Sequence, residues 1–438
     1  MTSVELGRHG QISNKGKKLD FFKKYFEYVD DTEPSLLYHR WSIIASVGAM
    51  LSRHVYLPFG HDTIYPNQYI VLLGTAGSRK STAINIATNL MKQTGYKKFA
   101  SDKSSKEKFI ADLAQGFDRL NFGTSENDDH YADLDDMLTE DTTISEVFIK
   151  AGELQDMLGL GSTDFISWLV NMWDNLDEYR HRTKHSDSQI IPQPTISMLG
   201  GATATTFQSM FPVEIIGSGM LSRMLLIHGD KPRKQIPFPT LPDAKLGAEL
   251  VEHLKAVRAL KGEVKIHPQA KELLGKIYKE WEGIPDPRLA SYGSRRFTHV
   301  LKLCIVLAAL RLSTVITQED VILANTILAY TEFYMPKALG EFGKSIEGVK
   351  LDAIHAILSN ASRPLSLSEI FEQMASKETN QMRLNQEILT LIGLGKVDKI
   401  IKNKKLKFFA VEKRVSITKS HTNLDLIAEW HGDKNARS

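Results

Sequence analysis

The stretch Tyr69-Ile70-Val71-Leu72-Leu73-Gly74-Thr75-Ala76-Gly77-Ser78-Arg79-Lys80-Ser81-Thr82 constrains this chain more than any other. An apolar, β-branched run breaks at Gly74 and passes through a loop of small residues to Lys80-Ser81. An amphipathic helix comes next, through Ala83, Ile84, Ile86, Ala87 and Leu90. A strand, a glycine-bearing loop and a helix that opens on Lys-Ser form the context in which backbone N–H groups and a helix N-terminus cradle phosphates. The expected ligand is a nucleoside triphosphate, ATP, held by Gly74, Thr75, Ala76, Gly77, Ser78, Arg79, Lys80, Ser81 and Thr82. Lys80 reaches the β- and γ-phosphates, and the Ser81 hydroxyl ligates Mg²⁺. Arg79 stands where such loops usually carry a final glycine, so the position is expected to keep a negative φ with its side chain turned away from the phosphates. The competing reading is a Gly/Ser-rich turn that merely precedes a helix.

Composition sets the class. The chain has 438 residues, 42% hydrophobic and 24% charged, which suits a globular protein of several domains. No apolar run approaches a membrane span and the N-terminus lacks a signal peptide's apolar core, so neither a membrane nor secretion is expected. The single cysteine, Cys304, lies in the apolar run Leu301–Leu310 and reads as core packing; it excludes an internal disulfide framework and fits a reducing cytoplasm. A net charge of +3 does not by itself imply nucleic acid. The cations are nevertheless unevenly placed: Lys15, Lys17, Lys18, Lys23 and Lys24 crowd the start, and Lys396, Lys399, Lys402, Lys404, Lys405 and Lys407 crowd one late segment. Residues 126–141 are acidic and read as a solvated loop.

Residues 1–19 read as a polar N-terminus and residues 20–66 as a helical region, with a short strand at Val55-Tyr56-Leu57. Residues 67–240 alternate strands and helices as an αβα core requires. Strands are expected at Ile144–Ile149, Tyr179–Thr183, Gln189–Ile191, Thr195–Leu199 and Leu221–Ile227, and a helix over 162–176. A proline-rich linker, Pro232–Pro242, leads to a helical lid at 241–340. Residues 349–413 show helix, helix, helix, hairpin, the winged-helix order, before a tail at 414–438. The lysine-rich wing, with Lys402, Lys404 and Lys405, suits phosphate contact; a protein-docking winged helix with a soluble edge is the other reading. Arg383 is the one obvious cation of the third helix, which argues against base-specific groove reading.

Hydrolysis at such a loop needs a carboxylate to orient water, a polar sensor and a neutralising cation. Glu153 comes after the strand Val147-Phe148-Ile149 and is the expected carboxylate and a metal ligand with Ser81. The usual Asp-Glu pair is here Gly152-Glu153, so Glu153 serves alone through waters or with Asp156. Thr203 or Thr205, after the strand Thr195–Leu199, is the sensor or else a helix cap, with Thr203 preferred. Arg223, in Ser222-Arg223-Met224, is a strand-edge salt-bridge partner or a finger reaching a neighbouring subunit's ATP, which presupposes a ring. Arg295, Arg296, His299 and Lys302 open a lid helix, and Arg295 or Arg296 is the expected second sensor.

With Tyr65-Pro66-Asn67, Tyr179-Arg180-His181-Arg182-Thr183-Lys184, Leu199-Gly200-Gly201-Ala202-Thr203 and Leu221-Ser222-Arg223 added to the loop, the chain resembles the AAA+ replicative helicases of phages and mobile elements. Arg79 before the lysine is itself a feature of that family. The Ser-Arg motif and the lid followed by a winged helix also resemble MCM-type helicases. The resemblance covers roughly residues 20–335. It implies an α/β P-loop NTPase core of AAA+ type and a homohexameric, ATP-driven helicase or translocase on single-stranded or forked DNA. A primase or primase-polymerase is the implied partner. Arg223 then acts in trans, and the 179–191 hairpin, with Arg180, Arg182 and Lys184, lines the DNA pore. An ATP-switched initiator or loader shares every motif. A small-molecule phosphotransferase needs neither a winged helix nor an arginine aimed at a neighbour.

Overall fold

The parallel pairing of a few short apolar strands organises most of the molecule. The computed structural model describes residues 20–115, 144–159, 163–183, 186–211, 219–229, 232–340, 346–374, 380–393, 396–402, 405–411 and 421–432. The chain divides into two compact units, Met1–Leu339 with Thr418–Ser438, and Gly340–Ile417.

In the first unit, helices α1 (Asp20–Tyr28) and α2 (Leu36–Leu51) precede the hairpin β1 (Val55–Phe59) and β2 (Asp62–Ile64). Then come β3 (Tyr69–Leu73), α3 (Lys80–Gln93), α4 (Lys106–Gln115), β4 (Glu146–Ala151), α5 (Leu154–Leu158) and α6 (Thr163–Met172). A second hairpin, β5 (Glu178–Thr183) and β6 (Ser186–Pro192), leads to β7 (Thr195–Ala202), α7 (Ala204–Met210), α8 (Met220–Arg223) and β8 (Met224–His228). Four helices complete the unit's main body: α9 (Ala244–Arg258), α10 (Pro268–Glu280), α11 (Gly293–Leu310) and α12 (Gln318–Leu339).

Strands β4, β7, β3 and β8 form one parallel sheet in that order. A parallel bridge, Phe99↔Phe148, adds a further rung beside β4. Every residue of β3 and β7 is buried, because helices cover both faces of such a sheet and its strands read as near-continuous apolar runs. Tyr69 pairs with Met198 and Met224, and Leu73 with Ala202 and His228, so the sheet has two well-separated edges. The expected strand at Leu221–Ile227 is corrected: the apolar run is split. Gly219, at φ 82°, starts the short helix α8 over Met220–Arg223, and only Met224–His228 joins the sheet.

Helix α2 is buried from Tyr38 to Leu51. Ser35 caps it, accepting from the Tyr38 N–H at 3.2 Å. The Tyr38 hydroxyl lies between the carbonyls of Leu73, at 2.8 Å, and Gly229. One O–H serves two acceptors there and ties the ends of β3 and β8 to α2. A Cβ at Gly74 would collide with the Gly229 carbonyl and the Tyr38 hydroxyl, which is why the strand must end on glycine.

The second unit holds α13 (Ile346–Asn360), α14 (Leu367–Gln373) and α15 (Gln381–Gly393), then an antiparallel ribbon of β9 (Val397–Lys402) and β10 (Lys405–Ala410). Ile354, Leu358, Leu365, Ile370, Leu384, Ile388, Leu391, Val397 and Phe408 form its core. Leu365 bridges Phe408, and Ser366 with Glu369 forms a capping box on α14. The chain then returns to the first unit. Helix α16 (Leu424–Gly432) places the Trp430 ring 5.3 Å from Tyr330 and 3.9 Å under the Arg40 guanidinium. Among the described residues, no helix is long and apolar enough to cross a membrane.

Replacing Tyr38 by phenylalanine removes the shared donor while keeping the ring. We expect a loss of about 1 kcal/mol in unfolding free energy, the usual net worth of a buried hydrogen bond. Denaturant titration checks this.

Candidate functional site

The loop from Gly74 to Arg79 leaves the C-terminal edge of β3. Lys80 opens α3 and is 5% exposed. Its ammonium donates to the carbonyls of Gly74 (3.1 Å) and Thr75 (3.0 Å) and to Ser78 Oγ (3.3 Å), so the loop wraps around it. Burial lowers its pKa, and the Glu153 carboxylate works in the opposite direction, which puts Glu153 within electrostatic reach of Lys80. Gly77 supplies one left-handed residue at φ 80°.

Arg79 supplies another, which corrects the expected negative φ: it stands at φ 63°, ψ 27°. The left-handed conformation costs a non-glycine residue about 1–2 kcal/mol. An ion pair between Arg79 and Glu33, from the turn between α1 and α2, carries the side chain off the loop. The expectation that the side chain points away therefore stands in the geometry, although the backbone is the glycine-like one.

Strands β7 and β4 bring their C-terminal ends to the same place. The Gly74 N–H donates to the Ala202 carbonyl at 3.3 Å, so Thr203 comes directly beside the loop. Thr203 caps α7, accepting from the Thr206 N–H at 3.1 Å with the two hydroxyls 2.8 Å apart; the capping reading describes this state. Gly152 and Glu153 end β4, and both Glu153 and Asp156 are exposed. A Cβ at Gly152 would stand 3.4 Å from Ser81 Oγ, and one at Gly201 would stand 2.5 Å from the Gly152 carbonyl and 3.4 Å from Lys80 Cβ. Gly201 thus permits the close approach of the Gly152 carbonyl, and a Cβ at 152 would come into contact with Ser81. No group of three or more His, Cys, Asp or Glu among the described residues could hold a metal alone. Mg²⁺ fits such a site because it binds through one or two protein ligands together with phosphates; Ser81 and Glu153 are the donors present.

The arginines lie elsewhere. Arg223 precedes Met224, whose partner is Tyr69, so it sits at the N-terminal edge of the sheet, roughly 15 Å from the loop by strand rise. Its Nη2 donates to Asp174 Oδ2 at 2.6 Å and its Nη1 to the Gly219 carbonyl at 3.1 Å. Arg295 Nη1 donates to the other oxygen of Asp174 at 2.8 Å. The guanidiniums of Arg223 and Arg295 lie 5.7 and 5.3 Å from the Trp173 ring. Arg296 points elsewhere, buried against Glu332 and Asn325 at 2.8 Å each. His299 bonds the Ser222 carbonyl at 2.9 Å.

Lys302 is fully buried at this same edge, 4.5 Å over Trp173, and donates to the Tyr65 carbonyl (2.9 Å) and Asn67 Oδ1 (2.6 Å). The structure therefore brings Lys80, Ser81, Gly152, Glu153 and Thr203 together at one edge and Arg223 and Arg295 at the other. Asp174 and Trp173 joined no site in the sequence, because the expected helix 162–176 includes both; in the structure that helix ends at Met172.

Of the residues expected to meet DNA, Arg180 is exposed and paired with Glu178 on β5. The hairpin is rooted by Tyr179, whose ring meets Trp168 edge-on at 5.9 Å, and by buried Ile191. Lys184 and Lys404 lie outside the described residues, as do the side chains of Arg182, Lys402 and Lys405. No protein-family profile matches the chain, and a comparison with curated proteins finds no match.

Desolvation pushes the Lys302 pKa down to about 7, against the attraction of Asp174. Between pH of about 7 and about 10.5 the unfolded chain binds the extra proton, so stability contributed here rises with pH across that window. Lys302→Met is expected to flatten the rise of melting temperature between pH of about 7 and about 9, read by calorimetry.

Proposed function

We propose that this protein is a P-loop ATPase of the AAA+ kind that works as a ring of identical subunits, hexameric by resemblance, to drive a DNA helicase or translocase. The observation that carries the reading is the division of the chemistry between two sheet edges. Lys80, Ser81, Glu153 and Thr203 gather around one loop, while Arg223 and Arg295, roughly 15 Å away by strand rise, have no path to it. Cations so placed reach a loop-bound triphosphate only where that loop belongs to a neighbouring copy.

In this reading the N–H groups of Gly74–Arg79 and the Lys80 ammonium bind the triphosphate. Mg²⁺ held by Ser81 and Glu153 would supply charge neutralisation to the phosphates. Glu153 accepts the proton of the attacking water as the new P–O bond forms and the bond to the ADP oxygen breaks. Thr203 exchanges its Thr206 contact for the γ-phosphate or its water. A neighbour's Arg223 and Arg295 neutralise the charge that develops. The order of parallel segments, Phe99, β4, β7, β3, β8, supports the assignment, since a switch point falls where β3 is flanked by two later strands. The exposed hairpin β5–β6 and the lysine-rich ribbon β9–β10 are the surfaces offered to a nucleic-acid backbone.

Lys80→Ala should abolish ATP binding. Glu153→Gln should keep binding and lose turnover by about 10²-fold, the scale of one catalytic proton acceptor. Normal hydrolysis by Glu153→Gln moves the role to Asp156. Nucleotide-dependent displacement of a strand from a forked duplex is the expected activity; ATP-dependent DNA binding without displacement would instead mark an initiator or loader.

A further inference from the structure

Asp174 divides its two oxygens between the two arginines: Oδ2 takes Arg223 at 2.6 Å and Oδ1 takes Arg295 at 2.8 Å. Its neighbour Trp173 meets both guanidiniums and the Lys302 amine with one ring. Two guanidiniums held this close repel each other unless an anion stands between them. The side chains grade outward. Arg223 is 9% exposed, Arg295 31% and Asp174 39%, so the carboxylate and the outer arginine are open to an approaching partner while the inner arginine waits behind them. Arg223 Nε is buried with no partner. Each guanidinium has five N–H donors in a planar fork, more than one carboxylate oxygen apiece can use.

We propose that Asp174 is a positioning residue that holds Arg223 and Arg295 as one two-armed clamp for a phosphate presented by a second copy of this chain. The proposal rests on the ring ATPase reading above. Asp174 stands in for the phosphate in the unassembled subunit. It fixes the rotamers of two long side chains before association, so their ordering is not charged to the hydrolytic step. It also makes the two arginines interdependent: one carboxylate lost releases both. Arriving phosphate oxygens take over the unused donors of both forks, and the half-exposed Asp174 lies where that exchange occurs.

The test is ATP turnover by Asp174→Asn, alone and in mixed assemblies. Asparagine keeps the shape but offers one acceptor oxygen in place of two. We expect kcat to fall by on the order of 10- to 100-fold with KM for ATP within about twofold, because the subunit's own loop is untouched. Mixing Asp174→Asn with Lys80→Ala protomers should restore activity, since one interface then joins an intact loop to an intact clamp. Mixing it with Arg223→Ala should restore none, both lesions lying on the same side. A defect of folding alone would not sort partners this way. Unchanged kcat in Asp174→Asn, or rescue by Arg223→Ala in place of Lys80→Ala, overturns the proposal. If Arg223→Ala alone hydrolyses ATP as the unmodified protein does, the trans-arginine reading itself fails. If Arg223→Ala is inactive while Asp174→Asn is fully active, only the role of Asp174 fails. Should Asp174→Asn not fold, Asp174→Glu, which keeps the charge one methylene further out, enters the same mixtures with the same expected pairing.

Discussion

The parallel register of β3 between β7 and β8 is the constraint on which the rest depends. With Tyr69 opposite Met198 and Met224, and Leu73 opposite Ala202 and His228, the residues that leave a strand and those that enter one are sent to opposite edges. Lys80, Ser81, Glu153 and Thr203 collect where β3, β7 and β4 end. The arginine that leads into β8 is placed at the far edge by the same hydrogen bonds. No side-chain rotamer can undo a separation set by strand length. Tyr38 reinforces the first edge by holding the ends of β3 and β8 to a helix that is buried along nearly its whole length.

Around that frame, local strain is tolerated where a longer-range contact opposes it. Arg79 adopts a left-handed backbone that a glycine would take freely. Its guanidinium pairs with Glu33, and the same Glu33 carboxylate accepts the Ile236 N–H at 3.1 Å. The backbone of Glu33 is engaged as well, its carbonyl accepting from the Arg233 N–H at 2.6 Å. The loop's last residue is therefore linked to the turn before α2 and to the proline-rich segment after β8. On the other side of Lys80 the opposite device operates: Gly201 carries no side chain, which lets the Gly152 carbonyl and the Lys80 stem come close to it.

The sequence was most legible where its signals are local. The run Tyr69–Leu73, the small-residue loop and the helical spacing from Ala83 to Leu90 each specify an element without outside help, and the capping role of Thr203 is explained by a hydroxyl ahead of an amphipathic turn. Signals failed where a distant partner decides. Nothing near Arg79 announces the Glu33 pair that accompanies its positive φ. The apolar residues Leu221–Ile227 suit a strand throughout, and only Gly219 ahead of them hints at the helical turn that carries Arg223. Arg295 and Arg296 are adjacent in sequence, but about 100° apart around α11. One therefore meets Asp174 and the other the buried Glu332. Asp174 itself was invisible because its significance lies in two arginines contributed by other segments.

The chain returns to the first unit after the second. Helix α12 ends before the second unit and α16 comes after it, so the first unit is built from two separate stretches of the chain. The return is anchored by polar as well as aromatic contacts: the Asn423 N–H donates to Thr326 Oγ1 at 2.9 Å, Asn325 Nδ2 to the His421 carbonyl at 3.1 Å, and Trp430 lies against Tyr330. These three contacts involve α12, while the Arg40 guanidinium over Trp430 comes from α2. The same helix carries Asn325 and Glu332, which hold Arg296 on α11 one residue from Arg295. Asn325 serves both sides, its oxygen toward Arg296 and its nitrogen toward His421. The anchor of the returning chain and the support of the arginine edge thus share one helix and one amide.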